Sequence, residues 1–311
     1  MRRLLLPALA AGLALGLAAA AQTPAPDPQT VLAAARAALG PASPPLANLE
    51  LQGAFRMQPP GSQRQQQGQL EVRFVFPANF QRRFSLHLPF GDFVTTETLA
   101  GGEVSVQRQL PPGVAQRFAA FRHRSGGSHL TAAQREAFRR RRQAEQLRSV
   151  SAQSARDQLA FLLLPPPGAT LRYAGLAQAR TGQQADMIQV TAPAFTAPVT
   201  LFLDRHSHRL LMLSYSGYAP VGMARAAGAG RFRSPGAGSS DESSGAAGRR
   251  AYHRPAPQTI FIHFTQWRRV AGRWFPMEVT ESAAGATFSE WDLKRVRVNI
   301  SGLDAQSLAK Q

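Results

Sequence analysis

Apolar and polar residues alternate with a period of two along most of the chain. Leu70, Val72 and Phe74 fall on one face of such a segment, and Glu71 and Arg73 fall on the other. This alternation predicts a β-strand with one buried face, because successive side chains of a strand point to opposite sides. About eleven or twelve segments of this kind, separated by short turns, predict mostly antiparallel strands in a meander that curls into a barrel or half-barrel.

Several of the predicted strands carry apolar residues on both faces. Ile260, Phe261, Ile262 and Phe264 are one example. Large apolar surfaces are rarely left in water. One face of the sheet is therefore expected to form a core, while helices or a ligand cover the other.

The N-terminal region predicts a helix. The segment VLAAARAALG follows Thr30, and Gly40 and Pro41 are placed to end it.

Residues 114–164 have a helical composition and form an insert between strand regions. Thr131 and Gln134 fit a capping box for a helix that runs to about Ser149, and the segment SARDQLAFLLL predicts a second helix that ends at three prolines. The run from Arg139 to Arg142 is interpreted as a solvated face, and a specific anion site is the alternative.

The segment LFLDRHSHRL, residues 201–210, places Asp204, His206 and His208 within five positions. Alternating apolar runs on both sides of it predict a β-hairpin with these side chains at its tip. A metal site is the alternative, but a structural zinc ion normally has four ligands, and the chain has no cysteine. We expect a hairpin tip and no metal.

The N-terminus has the pattern of a secretory signal peptide. MRR is followed by an apolar stretch and by Ala19, Ala20 and Ala21, which predicts cleavage before Gln22. An uncleaved membrane anchor is the alternative, and the small residues argue against it. Without cysteine the protein has neither disulfides nor an acylated lipoprotein residue. We expect an exported, soluble, periplasmic protein.

The chain is strongly basic, with a formal charge of +18. Removal of residues 1–21 takes away two arginines and leaves +16. Only Lys294 and Lys310 are lysines. Because an exported protein does not meet nucleic acid, an anionic membrane surface is the expected partner. Residues 218–257 are rich in Gly, Ser, Ala, Pro and Arg and predict a flexible loop that is mobile and removable.

The order of these elements resembles the outer-membrane lipoprotein carrier and lipoprotein-sorting (LolA-like) superfamily. The N-terminal helix is followed by a Leu-x-Gly strand and a Pro-x-x-Phe turn, and later strands include one that ends in Asp and a hairpin that reads aromatic, basic, small-Gly and Phe-Pro. The matching positions are Leu51 to Gly53, Pro77, Phe80, Asp204, Trp267-Arg268, Gly272 and Phe275-Pro276. The Arg-rich insert and the forty-residue loop depart from the compact carriers.

The resemblance implies a mainly β (α+β) fold, namely a curved antiparallel half-barrel of about 11 strands with helices covering its concave face. Residues 22–311 would form one such domain, with an apolar cavity for acyl chains. Period-two alternation places ten candidates on that cavity: Phe74, Phe76, Phe84, Leu86, Leu201, Leu203, Leu211, Leu213, Ile260 and Ile262.

No catalytic motif accompanies these features. The sequence contains no phosphate-binding loop, no G-x-S-x-G elbow and no H-E-x-x-H helix. We therefore expect no enzyme, no cofactor and no nucleic-acid partner. The expected function is that of a monomeric periplasmic carrier or binding protein for an acyl chain, a lipid or an acylated protein. The alternative is an envelope sensor or docking module of the same fold, which binds a protein or membrane partner and carries no ligand.

Overall fold

The computed structural model describes most of the chain between residues 25 and 309. The described residues are 25–41, 43–58, 65–89, 91–111, 113–114, 116, 131–179, 182–218 and 256–309. The predicted signal peptide, and the predicted flexible loop apart from its ends at 218 and 256–257, lie outside these residues.

The described residues contain twelve strands in one antiparallel sheet. The strands are β1 (Asn48–Met57), β2 (Gln66–Val75), β3 (Asn79–Leu88), β4 (Gly91–Ala100), β5 (Glu103–Gln109), β6 (Thr170–Gln178), β7 (Gln184–Thr191), β8 (Val199–Asp204), β9 (Leu210–Gly217), β10 (Gln258–Val270), β11 (Arg273–Ala283) and β12 (Ala286–Val298).

The spatial order of the strands is β5-β4-β3-β2-β1-β12-β11-β10-β9-β8-β7-β6. The sheet is open, since β5 and β6 are its edges and do not pair with each other. The predicted fold class, a mainly antiparallel sheet with few helices, is confirmed.

Helices α1 (Pro28–Leu39), α2 (Ala132–Leu162) and the short α3 (Ala305–Ala309) accompany the sheet. The chain leaves the sheet at one edge, after β5, and re-enters it at the other, in β6. Helix α2 lies in this connection, and Leu159 and Phe161 belong to the main core. We call the face that α1 and α2 cover the inner face.

The predicted capping box of α2 is present, with the Thr131 hydroxyl accepting from the Gln134 backbone N–H and the Gln134 side chain accepting from the Thr131 N–H. The predicted break near Ser149 is wrong, because α2 continues without interruption to Leu162. No glycine or proline lies between Ser149 and the second predicted helix. The chain therefore has no helix-breaking residue at which the first predicted helix would end.

The main core fills the inner face beneath α2. Phe161 of α2 stacks on Trp291 of β12, with the ring centroids 6.4 Å apart, and meets Phe264 of β10 edge-on at the same distance. Such aromatic pairs add about 0.5–1.5 kcal/mol to the free energy gained by burial. Helix α2, as part of the predicted helical layer, therefore packs directly against the sheet.

The opposite, outer face carries a polar row near β1. Glu50 is buried and pairs with Arg73 of β2 and Arg297 of β12. These hydrogen bonds hold the pKa of the Glu50 carboxyl below its usual range, although burial by itself would raise it. Beside this row Gln81 donates to the Leu308 carbonyl, which holds α3 against β3. The buried charge of Glu50 is thus compensated by two arginines.

Candidate functional site

A cleft of about 1040 Å³ opens at one end of the inner face, which we call the α1 cleft. It lies where α1, the end of α2, the β2–β3 turn and the β10–β11 turn meet. The lining residues are Ala33, Arg36, Ala37, Leu39, Gly40, Pro41, Pro45, Leu46, Phe76, Pro77, Gln158, Phe161, Leu162, Leu164, Pro165, Pro167, Arg269, Arg273, Trp274 and Phe275.

Helix α1 forms one wall of the cleft. Asp27 caps its N-terminus, and Leu32, Ala35 and Leu39 turn into the core. The helix ends at Gly40, which has a φ of 131°. A Cβ at this position would lie 2.6 Å from the Gly272 carbonyl oxygen in the β10–β11 turn, so this close approach of helix and turn requires glycine.

The end of α2 forms the opposite wall. Leu163 has left-handed backbone angles and its N–H donates to the Leu159 carbonyl. The chain then turns away through a proline-rich segment, which leaves Leu164 38% exposed at the cleft. An apolar side chain at this exposure, next to an apolar cavity, is available to contact a ligand.

Sixteen of the twenty lining residues are apolar, and three of the other four are arginines: Arg36, Arg269 and Arg273. We call these three the rim arginines. Arg36 Nε donates to the Leu163 carbonyl at 2.8 Å and so joins α1 to the end of α2. Arg269 Nε donates to the Gly272 carbonyl at 3.1 Å, and Arg273 Nη2 donates to the Pro44 carbonyl at 3.0 Å. Burial lowers the pKa of the Arg36 guanidinium.

Of the ten residues predicted to line a cavity, Phe76 lines this one. Six others lie together in the packed core, Phe84 lies at its margin, and Ile260 belongs to a small separate cluster with Ala283 and Phe288. The six core residues are Phe74, Leu86, Leu201, Leu203, Leu213 and Ile262.

Leu211 is set apart by an irregularity in the β8–β9 pairing. The register shifts so that Leu203 pairs with Leu210 while Phe202 pairs with Met212. Leu211 is therefore the extra residue, and Leu210 takes the buried position that alternation assigned to Leu211. A bulge of this kind inverts the faces of a strand.

Apart from Phe76, none of the residues that line the α1 cleft was predicted from the sequence. They come from turns and helix ends, where period-two alternation carries no information. One signal was present: Arg36 is the sole charged residue within α1. A single arginine in an otherwise apolar and small-residue helix is a candidate for a directed contact.

A second polar group lies farther along the inner face, beneath α2. We call Arg82, Arg156, Asp157 and Glu281 the buried charge cluster. Asp157 is 3% exposed; its Oδ1 accepts from Gln153 at 2.8 Å, whereas its Oδ2 has no hydrogen-bond partner within the described residues. Burial raises the pKa of Asp157 to about 6, against the attraction of both arginines.

Glu281 of β11 behaves in the same way. Burial raises the pKa of its carboxyl, while Arg82, a hydrogen bond from Ser289 and Arg156 act in the opposite direction. Arg156 also lies over the ring of Tyr215, 4.5 Å from its centroid. Glu281 lies six positions along β11 from Phe275 of the α1 cleft, which is about 20 Å of strand. None of the four residues of the cluster is among those that line the cleft, although Asp157 is the neighbour of Gln158 in α2.

The segment 204–209 is the predicted hairpin tip between β8 and β9, and this prediction is confirmed. Asp204 Oδ1 accepts from the backbone N–H groups of His206 and Ser207 and from the Ser207 hydroxyl, and Oδ2 accepts from Gln183. These hydrogen bonds hold the pKa of the Asp204 carboxyl low against the effect of burial. The Asp204 carboxylate therefore stabilises the turn.

Among the described residues, no group of three or more His, Asp or Glu side chains is arranged to hold a metal ion. Within the same residues, none of the helices is both long and apolar enough to span a bilayer.

No family model and no curated protein matches the sequence. Solved structures do resemble the fold. An outer membrane lipoprotein-sorting protein domain from Vibrio parahaemolyticus is 10% identical, with coverage of 91% of this chain and 98% of that chain and a TM-score of 0.43. A LolA superfamily protein from Nitrosomonas europaea is 9% identical, with coverage of 89% and 95% and a TM-score of 0.43.

A DUF1329 family protein from Desulfovibrio piger is 7% identical, with coverage of 89% of this chain and 95% of that chain and a TM-score of 0.41. The first two descriptions name the superfamily that the sequence resembles. At these identities and TM-scores the likeness does not establish what the chain binds.

Proposed function

We propose that the protein is a non-catalytic carrier or binding protein for an apolar ligand, such as an acyl chain, a lipid or an acylated protein. The observation that supports this function is the α1 cleft, with about 1040 Å³ of space and a lining that is apolar at sixteen of twenty residues. Small-molecule sites have volumes of about 300–1,000 Å³. Each ligand methylene that leaves water for such a lining contributes about 0.8 kcal/mol to binding.

The chemistry of the lining supports a binding role over a catalytic one. Among the described residues the lining contains no carboxylate, histidine or serine, and its polar members are three arginines and Gln158. Arginine stays protonated and cannot act as a general base. This lining is suited to holding and orienting a ligand.

The location follows from the sequence and is part of the proposal. Residues 1–21 would act as a signal peptide that is cleaved near Ala21, and residues 22–311 would work in the periplasm as a single domain and a monomer. An exported binding protein with a cleft of this size suits the transfer or capture of lipids at the cell envelope.

Uptake of a fluorescent fatty acid by the purified chain tests the proposal. Ala33 lies on the exposed cleft side of α1, so Ala33→Trp should occupy the cleft and lower the affinity by about tenfold or more, which corresponds to the burial of one or two methylenes lost. Gln29→Trp, on the first turn of the same helix and outside the lining, is the matched control and should bind normally. Mass spectrometry of lipids extracted from the isolated protein identifies the natural ligand.

A folded wild-type protein that is isolated without lipid and does not bind the probe would overturn the carrier function. That outcome would favour the second candidate, an envelope docking module. One observation supports this candidate: residues 132–149 of α2 have no buried side chain, and they include the run from Arg139 to Arg142. This exposed half-helix is suited to an anionic membrane surface.

A further inference from the structure

We propose that the ligand is an anionic amphiphile, with its apolar chain in the α1 cleft and its phosphate or carboxylate head bound by the rim arginines. This inference rests on the proposed function, because it assumes that the cleft holds an apolar chain. It adds the chemical class of the head group.

The lining of the α1 cleft carries an excess of positive charge. The twenty lining residues include three arginines and no aspartate or glutamate. No ion pair joins Arg36, Arg269 or Arg273 to a carboxylate within the described part of the chain. Three positive charges therefore face one apolar cleft without an internal counter-ion.

Several arginines elsewhere in the fold have acidic neighbours. On the outer face Arg73 and Arg297 both pair with the buried Glu50. Under α2 Arg82 and Arg156 attract Asp157 and Glu281. Arg73, Arg82 and Arg156, which are partly buried, thus each face an acid, whereas the partly buried Arg36 and Arg273 of the cleft have no ion pair within the described residues.

Backbone carbonyl groups hold the rim arginines in place. Each donates a hydrogen bond to a backbone carbonyl, at 2.8 Å for Arg36, 3.1 Å for Arg269 and 3.0 Å for Arg273. A carbonyl fixes the direction of a guanidinium without neutralising it. Since a guanidinium has five N–H donors, further donors remain for an oxyanion, whose geometry the planar fork matches.

A fourth arginine strengthens the positive field at the same place. Arg209, from the end of the β8–β9 hairpin tip, lies over the indole ring of Trp274, 4.2 Å from its centroid. Trp274 lines the cleft. The stacked guanidinium holds this ring against the cleft and adds to the charge beside it. A neutral apolar ligand would use none of these four positive groups.

Affinity measurements on the full chain with matched decyl compounds, below their micelle concentrations, test the inference. The probes are decyl phosphate, decanoate, the neutral decyl glucoside and inorganic phosphate alone. We expect both anionic amphiphiles to bind about tenfold or more tighter than decyl glucoside, as charge-assisted hydrogen bonds allow. The preference should fall as salt rises, and inorganic phosphate alone should bind far more weakly than decyl phosphate.

The variant Arg269→Gln/Arg273→Gln should lose the preference for the anionic head and keep its affinity for decyl glucoside. Arg108→Gln/Arg295→Gln removes the same charge from exposed strand positions outside the lining and is the matched control. Both doubles should keep the wild-type circular dichroism spectrum.

Equal binding of anionic and neutral decyl compounds would overturn the inference and leave the proposed function standing. Binding of inorganic phosphate as tightly as decyl phosphate would also overturn it, because the site would then recognise a free anion. If no decyl compound binds to the folded protein, both the inference and the carrier function are wrong.

Discussion

The buried carboxyl group of Asp157 makes the free energy of unfolding depend on pH. It is buried under α2 and faces Arg82 from β3, Glu281 from β11, and Arg156 and Gln153 from its own helix. Burial disfavours its charged form more than the two arginines favour it, so its pKa is raised to about 6. A helix that packs on such a group is held less firmly when the group ionises.

The sign of the pH dependence follows from this shift. The folded state keeps the Asp157 proton up to about pH 6, whereas the unfolded chain loses it near 3.8. The folded state therefore binds more protons between these values, and its free energy of unfolding falls as the pH rises through this window. Asp27, Glu50 and Asp204 have lowered pKa values and act in the opposite direction, at pH values below their ordinary range.

We expect Asp157→Asn to remove this part of the pH dependence. Relative to the wild type, the variant should gain about 2 to 3 kcal/mol of unfolding free energy between pH 4 and pH 6, at about 1.4 kcal/mol for each unit of pKa. Urea unfolding at several pH values measures the difference. Glu103→Gln, at an exposed position in β5, is the control. Parallel curves for Asp157→Asn and the wild type would contradict the assignment.

The two halves of α2 have different surroundings. From Val150 onward the helix buries one face in the core, whereas residues 132–149 have no buried side chain. Within the exposed half, Glu136 pairs with Arg139 and Arg140, and Glu145 pairs with Arg141. Such exposed pairs contribute little stability. Phe138 is 60% exposed and lies outside the core that the described residues form. The exposed half of α2 therefore presents a charged surface with one large apolar side chain.

An anionic membrane surface is the partner that the charge of this half-helix predicts. Each arginine near such a surface contributes about 1 kcal/mol. Replacing Arg139, Arg140, Arg141 and Arg142 by Gln removes about 4 kcal/mol and should therefore weaken binding to vesicles that contain phosphatidylglycerol by up to about a thousandfold at low salt. Vesicle co-sedimentation measures this loss.

The matched control removes four exposed arginines from the sheet, at positions 83, 108, 172 and 295. It should bind the vesicles close to wild-type affinity, and neither quadruple variant should bind neutral vesicles more weakly than the wild type does. An equal loss in both would mean that net charge, and not this half-helix, attracts the membrane.

One hydrophobic core connects most of the molecule. It runs from Leu32 of α1 through strands in both halves of the sheet to Phe161 of α2. Since the edge strands β5 and β6 do not pair, the two ends of the sheet are joined through its centre and through side chains beneath the helices. The described fold should therefore unfold as one cooperative unit.

Leu213 tests this cooperativity. It is fully buried in the core, so Leu213→Ala should lower the free energy of global unfolding by about 2 to 5 kcal/mol. Leu176→Ala, at a position that is 50% exposed in β6, should cost far less. Denaturant unfolding is followed by tryptophan fluorescence and by circular dichroism. Two transitions at different denaturant concentrations would show that the parts unfold separately.

The alternation of the sequence determined the strands and their order in the chain. Side chains that alternate between core and solvent reflect a local property of the backbone, so the β8–β9 hairpin, its Asp204 tip and the capping box at Thr131 could be predicted from neighbouring residues. The apolar residues on both faces of several strands also predicted that helices or a ligand cover the second face of the sheet. These features depend on contacts between residues that are close in sequence, or on the period of two that every strand shares.

The site was decided by the tertiary structure. Period-two alternation finds buried positions, but it cannot distinguish a side chain of the packed core from one that faces an open cleft, and Leu201 and Leu213 lie fully buried in the main core. The bulge at Leu211 depends on the register between two strands. The α1 cleft brings Arg36, Leu164 and Arg273 together from distant parts of the chain. Their meeting depends on how helix ends and turns pack, and no local pattern records that packing.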